Sequence, residues 1–264
     1  MTKVEGEIST ADETPGADAA GELLRWTGAP IPQARPSGHF ILRFWKSAVG
    51  KKWVMAVSGV ILLFYVLAHM VGTLKVFLGS EEINRYAEWL RELGEPAFPR
   101  TVVLWGMRAV IILAFFFHIL AAYQLTRINR RARPVKYQSP RDYAAANFAS
   151  RTMRWTGILI ALFLIYHLLD QTWGPANPEF VRGDAYNNLF YSFERVPVAI
   201  VYIIANIALG FHIWHGSWAM FNSLGLNNPR YNLWKRYFAT GFAVLITVGY
   251  VSMPLLIVTG AVSA

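Results

Sequence analysis

Residues 53–74, WVMAVSGVILLFYVLAHMVGTL, include no charged side chain. A helix that crosses a bilayer needs about 20 mostly apolar residues. Four further apolar stretches of sufficient length follow, at Thr101–Thr126, 151–172, Val196–Phe221 and from Tyr237 to the C-terminus. Unbroken apolar runs favour helices over a β-barrel, whose strands alternate apolar and polar residues. The sequence therefore predicts an all-α integral membrane bundle of five transmembrane helices.

The composition of the whole chain agrees with a membrane protein. Hydrophobic residues make up 55% of the 264 residues and charged residues only 16%, whereas soluble domains carry about 25% charged residues. The chain has no cysteine, which excludes disulfides, thiolate-ligated zinc and cysteinyl iron–sulfur clusters. The net charge of +9 is explained by membrane topology, so we expect lipid and not nucleic acid as a partner.

Residues 1–34 differ from the rest of the chain. They carry six acidic and two basic residues among small ones, a composition that cannot bury a core. They also lack the basic and apolar regions of a signal peptide, so we expect the first span to insert without cleavage. The predicted organisation is a disordered acidic tail at 1–34 and a five-helix transmembrane domain at 35–264.

The loops between the spans differ in their content of basic residues. Sixteen Lys and Arg lie before the first span, between the second and third, and between the fourth and fifth, whereas six lie in the other loops. Basic loops face the cytoplasm. The sequence therefore predicts a cell-membrane protein with its N-terminus in the cytoplasm and its C-terminus outside. The basic loops are also the expected surface for a partner.

Histidines are the informative polar residues of the spans. Ionisable side chains inside a membrane are costly and mark functional positions by default. A single membrane histidine is often explained by a hydrogen bond between helices. Here four successive spans each carry one, at intervals of 49, 49 and 45 residues, and the fourth span carries a second. The residues are His69, His118, His167, His212 and His215.

An internal repeat relates these histidines to one another. In the first span Gly59 lies ten residues before His69, and in the third Gly157 lies ten residues before His167. The second and fourth spans share the triplet Phe-His-Ile. Since alternate spans run in opposite directions, the histidines fall on two levels, about 10 Å apart at 1.5 Å per residue. The predicted pairs are His69 with His167 on the outer level and His118 with His212 on the inner level.

Two histidine pairs at two depths predict two bis-histidine haems, because each iron takes two imidazoles from facing helices. Zinc is less favoured, since its sites gather three or four ligands at one level. Four glycines beside the histidines either make room for flat macrocycles or allow ordinary close helix packing. They are Gly59, Gly72, Gly157 and Gly210. His215 has three possible roles: it competes with His212 for the inner site, it contacts a haem propionate, or it is structural.

The order of these motifs resembles a known family. The first two histidines, then Arg-x-Thr-Gly before His167, then Phe-His with Gly216-Ser-Trp218 after it, resemble the di-haem cytochrome b membrane anchor of succinate dehydrogenase and fumarate reductase, single-anchor type. The resemblance extends over about residues 40–260. Some members carry a glutamate, implicated in proton movement, two residues before the fourth-span histidine. Here that position is Gly210, so the resemblance does not support such a proton path.

The resemblance implies a subunit of succinate:quinone oxidoreductase. In such a complex a flavoprotein oxidises succinate, and an iron–sulfur subunit passes electrons to the anchor. Two haems b would carry them on to a membrane quinone, with menaquinone preferred. His118 and His212 would hold the inner haem iron, and His69 and His167 the outer one. The iron–sulfur subunit would dock on the basic inner loops, above all residues 127–154.

Two positions are candidates for quinone binding. Ser150 and Arg154 share a helix face and resemble the Ser/Arg quinone pair of the related two-subunit anchors. For Arg154, a contact with an inner-haem propionate is slightly preferred to quinone binding. On the outer side, Asp170, Gln171 and Trp173 either line a second quinone pocket or simply end a helix at the membrane interface.

Arg108 is the one charge deep in the second span. The guanidinium either contacts an outer-haem propionate or Asp170, or extends to the outer headgroups.

Two other functions compete with the succinate-linked one. They are a cytochrome b of another respiratory dehydrogenase, such as a hydrogenase or formate dehydrogenase, and a non-redox transporter or scaffold.

Overall fold

The computed structural model describes residues 39–132, 148–226 and 228–262, so the predicted acidic tail lies outside the described residues. The described residues from Arg43 onward form one compact unit. Eight α-helices lie in the described ranges. They are α1 (Phe40–Lys46), α2 (Ala48–Thr73), α3 (Ser80–Glu92), α4 (Val102–Arg131), α5 (Phe148–Leu168), α6 (Ala185–Glu194), α7 (Val196–Ser223) and α8 (Asn232–Val258).

Five of these helices are long and apolar enough to cross a membrane. Together with short extensions they form Ala48–Leu78, Val102–Arg131, Thr152–Trp173, Val196–Ser223 and Asn232–Val258. A 3-10 turn, Leu74–Leu78, extends α2, and a π-helical turn, Leu169–Trp173, extends α5. The predicted all-α membrane bundle of five spans is confirmed, and the chain is a multi-pass membrane protein.

Two shorter helices, α3 and α6, were not predicted from the sequence. They connect α2 to α4 and α5 to α7, and they pack against each other at one end of the bundle. Asn84 of α3 donates to Asp184, and it accepts from the backbone N–H of Tyr186. Asp184 caps α6 by accepting from the backbone N–H of Asn187 at 3.1 Å. We call this end of the bundle the α6 end, and the opposite one, where α2 begins, the α1 end.

Four of the long helices pack as two pairs, and the contact between α2 and α7 joins the pairs. Helix α2 packs on α4, α5 packs on α7, and α2 packs on α7, while α8 lies against α7 and α2. The buried apolar clusters lie around α7 and α8, for example at Tyr202, Ile213, Ile246 and Met253. Among the described residues no extensive packing joins α2 to α5 or α4 to α7. The histidines face each other across these two loosely packed interfaces.

Candidate functional site

Four histidines from four helices meet as two pairs. The ring centres of His69 and His167 are 5.9 Å apart, with 59° between the ring planes. Those of His118 and His212 are 6.3 Å apart, with 60° between the planes. All four side chains are half-buried. The structure thus brings together the residues that the sequence pattern had paired.

The two pairs lie further apart than the sequence pattern predicted. The ring of His118 is hydrogen-bonded to Ser58 of α2, and the ring of His212 is hydrogen-bonded to Thr156 of α5. Each of these hydroxyl residues lies eleven positions before the other histidine of its own helix. At 1.5 Å per residue this separates the levels by about 16 Å, and not by about 10 Å. The prediction was wrong because span bounds taken from apolar runs do not define how far one helix is shifted along the next.

The ring Nδ1 atoms of the second pair are held by the neighbouring helix. His118 Nδ1 lies 3.1 Å from the carbonyl oxygen of Met55 and 3.2 Å from Ser58 Oγ. His212 Nδ1 lies 3.3 Å from Thr156 Oγ1. Both hydroxyls donate their own proton to carbonyls one turn earlier in their helix, so their oxygens are free to accept. Nδ1–H therefore donates, and Nε2 remains for a metal.

The repeated Ser/Thr-Gly motif, Ser58-Gly59 and Thr156-Gly157, therefore contacts the histidine of the next membrane span. A side-chain carbon at Gly59 or Gly157 would lie 3.5 Å from the Cε1 atom of that histidine, so the ring packs directly against the helix backbone. Gly72 and Gly210 have another role. An added carbon there would overlap side chains of α3 and α8, so these two positions allow close helix packing and do not make room for a macrocycle.

A hydrogen-bonded network holds His167 from the side of α7. Its Nδ1 atom lies 3.3 Å from the hydroxyl oxygen of Tyr202, and this hydroxyl donates to Asp170 Oδ2 at 2.8 Å. Asp170 is fully buried. Arg195 Nη2 donates to its other oxygen, Oδ1, at 2.7 Å, and Gln171 Nε2 donates to Oδ2 at 2.8 Å. Tyr202 and Arg195 were not predicted as site residues, although Arg195 directly precedes the fourth span.

Asp170 has a different partner from the one that the sequence suggested. It pairs with Arg195, whereas the guanidinium of Arg108 lies 4.8 Å from the ring centre of Trp105 and is exposed. The proposed Arg108–Asp170 contact is thus wrong, because the two helices present these side chains to different neighbours. Trp173, in the π-helical turn, is 60% exposed, as an interfacial aromatic would be.

The remaining candidates lie nearer the α1 end. His215 packs its ring on Trp218, with 6.0 Å between centres, and His212 is the histidine that faces His118. Arg154 is exposed near the start of α5. The side chain of Ser150 lies outside the described part of the structure, so the predicted Ser150–Arg154 pair stays a prediction.

The spacing of each histidine pair fits one metal between two imidazoles. A metal–nitrogen distance of about 2.0–2.1 Å, plus about 1.1 Å from nitrogen to ring centre, places two opposed ring centres about 6.3 Å apart. The observed distances are 5.9 and 6.3 Å. Within the described ranges no group of three His, Asp or Glu side chains comes together, which a closed zinc site would need. Two separate bis-imidazole sites are what these donors can form.

Comparison with known families gives an independent result. Residues 126–251 match the family described as succinate dehydrogenase/fumarate reductase transmembrane subunit. The match supports this family. It covers just under half of the chain, from the end of α4 to α8, and it includes His167 and His212 but neither His69 nor His118. No curated protein and no solved structure matches the chain.

Proposed function

We propose that this chain is the membrane-anchor cytochrome b of a succinate:quinone oxidoreductase and binds two haems b. The observation that carries the proposal is the spacing of two histidine pairs on four helices, each suited to one iron. The family match supports the succinate-linked complex. Members of that family are transmembrane subunits, which implies association with other subunits of the same enzyme.

The protein would contribute ligands and their orientation. His118 and His212 would hold one haem and His69 and His167 the other, and each haem would supply one-electron transfer. The Nδ1 bonds at three of these histidines hold the ring so that Nε2 is the ligating atom. Between the two levels, about 16 Å apart, the chain offers a route for electrons along the bundle.

The α1 end is the proposed docking surface for the iron–sulfur subunit, which would itself bind the flavoprotein. Exposed cations concentrate there, namely Arg127, Arg130, Arg131, Arg154 and Arg230. They would face an acidic partner surface and orient the chain with this end in the cytoplasm. Such an arrangement brings electrons first to the pair formed by His118 and His212.

Quinone, preferably menaquinone, would bind at the α1 end, close to Arg154. The alternative site at Asp170 and Gln171 is less favourable, because Asp170 is fully buried and already accepts three hydrogen bonds. Arg154 is exposed and can donate to a quinone carbonyl or to a haem propionate.

The haem content of the purified complex tests the proposal. We expect two haems per chain and a b-type α-band after reduction with dithionite. His118→Ala and His212→Ala should each retain one haem, whereas His215→Ala, the matched control on the same helix, should retain both. A wild-type complex without haem would exclude a cytochrome. Two haems b without a succinate-oxidising flavoprotein would favour another respiratory dehydrogenase.

A further inference from the structure

The two histidine pairs differ in the groups that hold their Nδ1 atoms. His118 and His212 donate to neutral groups, a carbonyl and two hydroxyls whose own protons go to the helix backbone. His167 instead meets the phenol of Tyr202, which is bonded to the carboxylate of Asp170. Among the described histidines with such bonds, only His167 has a carboxylate behind its Nδ1 partner, two hydrogen bonds from the ring.

The donors around Asp170 define the direction of each hydrogen bond. Arg195 donates from Nη2 to Oδ1 and Gln171 donates from Nε2 to Oδ2, so both carboxylate oxygens act as acceptors. The hydroxyl of Tyr202 must then donate to Oδ2, at 2.8 Å, and its oxygen is left to accept from His167 Nδ1–H. This chain of bonds selects the tautomer in which Nε2 carries no proton.

The backbone has an unusual conformation where it places Asp170. The π-helical turn Leu169–Trp173 begins two residues after His167 and widens the helix, and Asp170 within it is fully buried. Such turns occur frequently at functional sites. A buried carboxylate is costly unless it is paired, and Arg195, 31% exposed, pairs with it. This arrangement directs Oδ2 of Asp170 toward the hydroxyl of Tyr202, next to the pair formed by His69 and His167.

We propose that Tyr202 and Asp170 are positioning residues that fix the tautomer of His167 and increase its electron donation to the metal. The inference rests on the proposed function, since it assigns a ligand role to His167. An acceptor on the far nitrogen makes an imidazole a more basic ligand, and a carboxylate behind the phenol strengthens that acceptor. A more basic ligand favours the oxidised metal, so the network lowers the reduction potential of the group held by His69 and His167.

Tyr202→Phe is the decisive variant. It removes one oxygen and leaves the Arg195–Asp170 ion pair and the Gln171 bond in place, so the carboxylate keeps two donors. The matched control is Tyr250→Phe. The ring of Tyr250 lies 6.2 Å from that of His69, but its hydroxyl donates to the carbonyl of Val66 and not to a histidine.

Redox titration of the purified complex, followed at the haem α-bands, gives the readout. We expect Tyr202→Phe to raise the potential of one haem by about 59 mV, a tenfold change in a one-electron equilibrium. The other haem should keep its potential, and Tyr250→Phe should change neither. Asp170→Asn, which keeps the shape of the side chain but not its charge, should shift the same haem in the same direction.

The outcomes separate this inference from the proposed function. Loss of one haem from Tyr202→Phe, with both retained in Tyr250→Phe, would also support a positioning role for Tyr202. Two haems with wild-type potentials in Tyr202→Phe would overturn the inference and leave the cytochrome proposal intact, as would an equal shift of both haems. A wild-type complex without haem would overturn the proposed function itself.

Discussion

Replacing Gly210 with alanine tests the packing of α7 against α8. A methyl group at Gly210 would overlap Oγ1 of Thr247 and lie 3.3 Å from its Cβ atom. Threonine is branched at Cβ and stiff about χ1, so turning the side chain only brings its other branch into the same space. The two helices must therefore move apart, or the threonine must adopt a strained rotamer.

Gly216 on the same helix provides the matched control, since a methyl group there meets nothing within 4 Å. Overpacking a close helix contact costs about 1–3 kcal/mol. Both substitutions also gain about 1 kcal/mol from the higher helix propensity of alanine. The gain cancels in the comparison, so we expect Gly210→Ala to be about 1–3 kcal/mol less stable than Gly216→Ala.

Equilibrium unfolding of the full chain by SDS in mixed micelles, followed by circular dichroism, measures this difference. Thr247→Ala removes the overlapping atoms. Gly210→Ala should therefore cost much less in the Thr247→Ala background than in the wild type, a coupling that a double-mutant cycle detects. Equal stabilities of Gly210→Ala and Gly216→Ala would contradict this prediction, because they would show that α7 and α8 do not approach closely at this point.

Three further predictions concern the ends of the bundle. Partial burial raises the pKa of Asp184, but hydrogen bonds from Asn187 and Asn84 outweigh it and hold the pKa below its ordinary value. Asp184→Ala should therefore lower the free energy of unfolding by about 1 kcal/mol at neutral pH. This difference between variant and wild type should shrink as the pH falls through the lowered pKa of Asp184. Thermal unfolding of both proteins at neutral pH and at a pH below that pKa checks the prediction. Arg154→Lys should leave assembly intact but reduce succinate:quinone turnover or shift the potential of one haem, because lysine lacks the forked donor; unchanged turnover and potential would reduce Arg154 to a topological anchor. A reporter fused after Glu179 should report the outside of the cell, and a cytoplasmic signal would reverse the proposed orientation.

Several features of the site could be predicted because they depend on residue type and spacing alone. Apolar runs longer than a bilayer is thick require helices. A histidine in each of four successive helices, with a repeated local pattern, indicates which pairs share a level. The structure places His69 beside His167 and His118 beside His212, at the distances given above.

The network behind His167 could not be predicted in the same way. Asp170 and Arg195 are 25 residues apart, and their pairing depends on how the π-helical turn rotates the end of α5 toward the start of α7. Tyr202 looks like one more amphipathic aromatic in an apolar span, and its hydroxyl is important only because α7 presents it to His167. Likewise, Ser58 and Gly59 looked like part of the His69 repeat, but they contact His118.

Residue type and spacing are enough to define the class of protein, the five membrane spans and the pairing of four histidines, because the bilayer imposes a length and a polarity on every helix that crosses it. The separation of the two pairs, the partner of Asp170 and the roles of the glycines become visible once the helices are packed together. These depend on the rotation and axial shift of each helix relative to its neighbours. Side-chain packing between helices sets both quantities, and a periodic apolar pattern along one helix does not record them.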